Sequence, residues 1–172
     1  MAKRISLREF QQDLSSRLAG TKNSNAKPAL LAVLAGPEGW LLDLADSGEI
    51  MALPSVAPVP LAREWFRGLA NVRGNLFSVV DFPSFLGLAP VVAGSEARLL
   101  LVGAKHGVNT ALLVSRAIGL RNPDDFETDR RFRDDRPWVV GGLRDSQDRL
   151  WKRLSARALL ADPRFLDAGG VR

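Results

Sequence analysis

The chain has 172 residues, 46% apolar and 25% charged, which fits one globular unit with a real core and excludes a wholly disordered chain. It has no cysteine and a single histidine, His106, so disulfide frameworks, thiolate chemistry and histidine metal clusters are excluded. The formal net charge is +5. Of this, +4 lies in residues 1–27, on Lys3, Arg4, Arg8, Arg17, Lys22 and Lys27 against Glu9 and Asp13, so the rest of the chain is nearly neutral. A short basic arm of this kind reads first as a solvated segment.

In chain order, Leu7, Phe10, Leu14 and Leu18 recur at helical spacing, with Ser6 and Glu9 placed for a capping box and Gly20 as a stop. A polar linker follows to residue 27. Apolar runs at Leu30–Leu34 and Trp40–Leu44 flank the turn Gly36-Pro37-Glu38-Gly39 and predict a hairpin. Glu49–Leu53 reads as a strand closed by Pro54, and Pro54, Pro58 and Pro60 keep the next stretch extended. Trp65–Leu69 is apolar, Asn71–Asn75 a turn, Leu76–Phe82 a strand and Pro83–Leu88 a short helix. Leu99–Val102 and Thr110–Val114 form a second hairpin, with His106 in its turn and expected to face solvent. The charged stretch Arg121–Arg136 reads as a solvated loop. Trp138–Leu143 and Leu150–Leu154 flank the turn 144–148, Ala156–Leu160 is a short helix, and the tail carries Pro163, Phe165 and Leu166. Short strands with Gly/Pro turns predict a mainly all-β barrel or sandwich, in two blocks of similar length, about 30–88 and 98–155.

Catalytic signatures are missing: the sequence holds no GxGxxG, no Walker loop and no GxSxG. Asp81 at a strand end has no carboxylate partner at a recognisable spacing and reads as a turn or cap residue. A rival reading, a single-stranded nucleic-acid-binding β-barrel, could use Trp65, Phe66, Arg67 and Arg73. It lacks a strong basic footprint on the near-neutral body.

The run Gly68-Leu69-Ala70-Asn71-Val72-Arg73-Gly74-Asn75-Leu76-Phe77-Ser78-Val79-Val80-Asp81-Phe82 resembles the signature of CheW-like domains, a G-x-x-N-L-R-G turn followed by a strand ending in hydrophobic-Asp-Leu. Trp40–Leu44 with Glu49-Ile50, and Leu99–Leu120, resemble further family blocks. Trp65-Phe66 and Asp162–Asp167 resemble the branch serving type IV pilus (twitching-motility) signalling. The resemblance spans about 28–168, leaving 1–27 as an added arm and 169–172 as a tail. Val72 replaces the usual Leu, and Ser78 stands where many members have Pro.

The residues of the signature have a physical reading of their own. Gly74 suits a positive φ, Asn71 can brace the same turn, and Leu76, Val79 and Phe82, or their alternates, can face a core. Arg73 projects from the turn, either to pair with a nearby carboxylate or to meet a partner.

The resemblance implies two five-stranded, SH3-like barrels around an apolar groove, with the N-terminal helix and a short C-terminal helix added. It implies a cytoplasmic, non-enzymatic adaptor, recruited to receptor arrays at the inner membrane without inserting. It needs no cofactor or nucleic acid. Its partners would be the regulatory domain of a CheA-type histidine kinase and the cytoplasmic tip of a methyl-accepting chemoreceptor. Ser47, Glu49 and Arg73 are the interaction candidates. Asn71 and Gly74 shape the turn, and Leu69 and Val72 add apolar contact.

Overall fold

The computed structural model describes residues 29–169, apart from 93, 95 and 103. The expected N-terminal helix, its linker and the last three residues lie outside the described residues. Twelve strands are described, in two six-stranded sheets. The first contains β1 (Leu30–Ala35), β2 (Glu38–Asp43), β9 (Arg116–Arg121), β10 (Phe126–Thr128), β11 (Val139–Asp145) and β12 (Leu150–Leu154), in the order β10-β11-β12-β2-β1-β9. The second contains β3 (Ser47–Ala52), β4 (Val56–Ala57), β5 (Phe66–Val72), β6 (Asn75–Asp81), β7 (Arg98–Val102) and β8 (Thr110–Val114), in the order β3-β7-β8-β6-β5-β4. Each sheet thus has one strand more than the resemblance implies; the shortest members are β10 and the two-residue β4.

Three apolar clusters explain why the strands read as they do. Leu30, Ala32, Leu41 and Trp151 are buried together, with Leu34, Ile118, Phe126 and Leu143 packed against them, so all six strands of the first sheet curl around one core. Ala70, Val72, Val79, Leu99, Leu101, Ala111 and Leu113, with Met51, Val56 and Phe77, do the same for the second. The third cluster lies between the sheets: Leu31, Val33, Trp40, Leu42, Val80, Phe82, Leu100, Leu112, Trp138 and Leu159 among others. Alternate residues of β1, β2, β7 and β8 therefore enter different cores. Both faces of these strands are covered, which is why the sequence shows unbroken apolar runs there instead of alternation.

The chain path differs from the two-block expectation. β1 and β2 belong to the first sheet. The chain crosses at the 3₁₀ turn Leu44–Asp46, builds the whole second sheet, and returns at Ser115. One barrel is nested inside the sequence of the other. The return is fixed to the first hairpin: Ser115 N–H donates to the Leu34 carbonyl at 2.8 Å, and Gly36 N–H donates to Ser115 Oγ at 2.8 Å. Local patterning could not reveal this, because closure depends on the parallel pairing of β12 with β2 and the antiparallel pairing of β1 with β9.

Three short helices complete the core: α1 (Phe82–Phe85), α2 (Ala156–Leu160) and α3 (Pro163–Leu166). Asp81, fully buried, caps α1: Oδ1 accepts from Ser84 N–H at 3.1 Å and Oδ2 from Val91 N–H at 3.0 Å. The cap reading of Asp81 is therefore correct. The charged stretch is less solvated than its composition suggests. β10 pairs with β11, the Phe132 ring packs on Gly142, and the Arg136 guanidinium lies 4.8 Å from the Trp138 ring centre and 5.2 Å from that of Trp40. Arginine's planar, weakly hydrated head makes this compatible with burial. Among the described residues, no helix is long and apolar enough to cross a membrane.

Candidate functional site

The signature turn is a two-residue β-hairpin loop. Val72 pairs with Asn75, leaving Arg73 at φ +52° and Gly74 at φ +85°. Positive φ at both central residues is the type I′ pattern, whose twist matches the flanking strands. Gly74 adopts it freely, whereas Arg73 does so at a cost of about 1 kcal/mol. Asn71 Oδ1 accepts the Gly74 N–H at 2.9 Å and braces the turn. The first glycine of the signature has a different task. Gly68 sits at a register shift in β5 with φ +127°, and a Cβ there would lie 2.0 Å from the Ala57 carbonyl oxygen. Only glycine lets β4 approach this closely.

Arg73 meets Glu49 from the opposite end of the second sheet, Nη2 to Oε1 at 2.8 Å. β3 reaches this point through a bulge: Ser47 pairs with Val102 and Ile50 with Leu100, so Gly48 and Glu49 together oppose Leu101. A bulge frees a side chain from the ladder and re-aims it. The pair stays in water, with Arg73 77% and Glu49 37% exposed. Both readings of Arg73 thus coexist: it pairs with a carboxylate, and it remains on the surface.

The other candidates separate by face. Leu69 and Asn71 are exposed on β5, while Val72 is buried in the core of the second sheet. Val72 therefore supports the turn from beneath, and the contact role expected for it is corrected: strand alternation sends it inward. Ser47 is half-buried, and its hydroxyl donates to the Asp43 carbonyl at 3.4 Å. The sequence leaves open whether Leu76, Val79 and Phe82 or their alternates face the core; Leu76 pairs across from Asn71 and is 59% exposed. Phe77 and Val79 take the inward positions of β6. The outer face of the hairpin therefore presents Leu69, Asn71, Leu76 and the Arg73–Glu49 pair. Ser78, at the usual proline position, donates its N–H to the Asn109 carbonyl at 2.9 Å and shares a 3.0 Å hydroxyl bond with Thr110. A proline there would lose the first of these bonds.

His106 does not face solvent. Its side chain is 9% exposed and Nε2 lies 3.1 Å from Asp46 Oδ1, which also takes Lys105 Nζ at 2.5 Å. This contact ties the β7–β8 connection to the crossover turn. Among the described residues, no group of His, Cys, Asp or Glu is placed to hold a metal ion.

The CheW-like domain model matches residues 29–164, which contain both sheets and the signature turn. The chain belongs to the CheW-like family. Protein PilI of Pseudomonas aeruginosa is 27% identical over 140 residues, 77% of this chain and 75% of that protein. The crystal structure of the scaffolding protein TtCheW from Thermoanaerobacter tengcongensis superposes with a TM-score of 0.65 at 18% identity, covering 80% of this chain and 94% of that one. The shared fold is therefore the CheW-like pair of β-barrels, joined by the aromatic core of Trp40, Phe82 and Trp138.

Proposed function

We propose that this chain is a cytoplasmic, non-enzymatic adaptor that couples chemoreceptors to a CheA-type histidine kinase, in signalling that controls type IV pilus twitching motility. Membership of the CheW-like family supports a chemotaxis-type adaptor, and the likeness to PilI supports the twitching branch. The observation that carries the reading is the β5–β6 turn. An arginine held at φ +52° and paired in open solvent adds little to stability, so its value lies in presenting a fixed guanidinium. Leu69 and Leu76 flank it and give an apolar surface beside the charge. The kinase regulatory domain docks on this face, with Glu49, Arg73 and Asn71 at its centre and Ser47 at its margin. The receptor tip takes the groove side of the barrels. Each contact is modest, and arrays strengthen it through multivalency.

The test is capture of a CheA-type regulatory domain by the full chain, Arg73→Glu, Glu49→Arg and the double reversal. Arg73→Glu abolishes capture with an unchanged circular dichroism spectrum. If the double reversal restores capture, the pair serves to hold the turn; if it does not, Arg73 itself meets the kinase. Unchanged capture by Arg73→Glu overturns the assignment.

A further inference from the structure

A cavity of about 310 Å³ opens where the two halves of the molecule meet. Its apolar lining is mainly aromatic, Trp65, Phe85 and Trp138 with Leu86. The rings support one another, with Trp65–Phe85 centroids 5.2 Å apart and Phe85–Trp138 centroids 6.0 Å apart. Its charged lining is mainly cationic: Arg63, Arg136 and Arg164 against Asp167.

Each of the three guanidinium groups is held through Nε and Nη2, Arg136 and Arg164 by a carboxylate alone and Arg63 by a backbone carbonyl together with a carboxylate. Arg136 Nε and Nη2 donate to Asp134 at 2.8 and 2.6 Å, and Arg164 Nε and Nη2 donate to Asp162 at 3.3 and 3.1 Å. Arg63 Nε donates to the Asp167 carbonyl at 2.7 Å and its Nη2 to the Asp167 carboxylate. In all three, Nη1 has no acceptor among the described residues. The Trp138 indole N–H is fully buried, with no acceptor among the described residues, and it supplies no donor to the open space. Arg136 and Arg164 both line this space.

This wall is rich in donors and poor in acceptors, and its guanidinium edges are held in place before any ligand arrives. Charge-assisted bonds to a carboxylate suit such edges, and fixing them beforehand lowers the entropic cost of binding. The aromatic lining calls for an apolar body on the same ligand. The volume lies at the small end of ligand sites, about 300–1,000 Å³, which suits a body of one ring or one branched chain. We infer that this cavity binds an organic carboxylate whose acid group is carried on an aromatic or branched apolar body. The Nη1 edges of Arg136 and Arg164 take the carboxylate, and Trp65, Phe85 and Trp138 take the body.

Phenylacetate is the probe, titrated into the full chain by calorimetry and by tryptophan fluorescence. Saturable binding is expected at or below roughly 1 mM. Phenethyl alcohol, which lacks the charge, and acetate, which lacks the body, are each expected to bind about tenfold more weakly. Arg164→Gln, at a side chain 66% exposed, is expected to lower phenylacetate affinity about tenfold with an unchanged circular dichroism spectrum, while Arg157→Gln leaves the affinity unaltered. A short peptide ending in phenylalanine with a free carboxylate separates the two sources of this chemistry. Tighter, Arg164-dependent binding of the peptide assigns the cavity to a chain end, and tighter binding of phenylacetate assigns it to a free acid. Absence of saturation by either probe up to about 10 mM overturns the proposal. Equal binding of phenethyl alcohol, or indifference to Arg164→Gln, overturns it as well.

Discussion

Two arginine–carboxylate pairs in this protein differ in geometry and in setting: Arg73 makes one bond to Glu49, and Arg136 grips Asp134 through two. Arg73 and Glu49 meet at 2.8 Å on the open face of a hairpin, with Arg73 77% exposed. Arg136 and Asp134 meet at 2.6 Å with only 23% and 11% exposure, and Arg136 lies over the rings of Trp40 and Trp138. An exposed pair contributes about 0–1 kcal/mol, because water screens it and ordering two long side chains costs entropy. A sheltered pair is hard to break, because the partner left behind loses its compensation. The same residue types therefore act as a presented contact in one place and as a sheltered brace at the margin of the core in the other.

The largest expected effect belongs to the interior. Trp138→Ala removes a fully buried ring and the platform under Arg136, and is expected to cost about 3–5 kcal/mol in urea unfolding. A loss below about 1 kcal/mol would break the claim that the sheets share one core. Next comes Gly68→Ala, expected to cost about 2 kcal/mol or more, because its Cβ meets backbone as well as unfavourable dihedral space.

Arg136→Gln is expected to cost about 1–3 kcal/mol at neutral pH. Its hydrogen bond holds the Asp134 carboxyl below the ordinary value of 3.8. A depressed carboxyl contributes stability that is present above the unfolded value and lost as pH falls through the folded one. The difference between Arg136→Gln and the parent chain should therefore be full at pH 7 and close progressively below that ordinary value, read as converging acid-unfolding curves. A gap that persists undiminished in acid would place the role of Arg136 in ring stacking alone.

Gly74→Ala is expected to cost about 1 kcal/mol, from dihedral strain alone, since open space surrounds its Cβ position. Smallest of all is Arg73→Glu, with a stability change within about 1 kcal/mol in thermal melts. A larger loss would move the pair from the surface role to the structural one and erase the contrast with Arg136.

The hairpins, the short helix Ala156–Leu160 and the cap role of Asp81 were legible in the sequence. Each depends on neighbours within a few residues. The turn at Arg73 was legible for the same reason, since Asn71 and Gly74 define it locally. The side taken by Leu76 stayed open in the sequence, and His106 read as solvent-facing, because exposure is not a local property. An apolar residue next to a turn looks like core until register places it opposite Asn71, and a turn histidine looks solvated until Asp46 arrives from 60 residues away.

By itself, then, the sequence determined most of the strands though not β4, β9 or β10, together with the turn chemistry and the family, because hydrophobic period, proline and glycine act through short-range sterics. The tertiary structure decided which strands share a sheet, that one barrel is nested within the other, and which of two arginine pairs is sheltered. Those outcomes follow from long-range pairing and from competition for three apolar cores, which a linear pattern of apolar residues cannot tell apart.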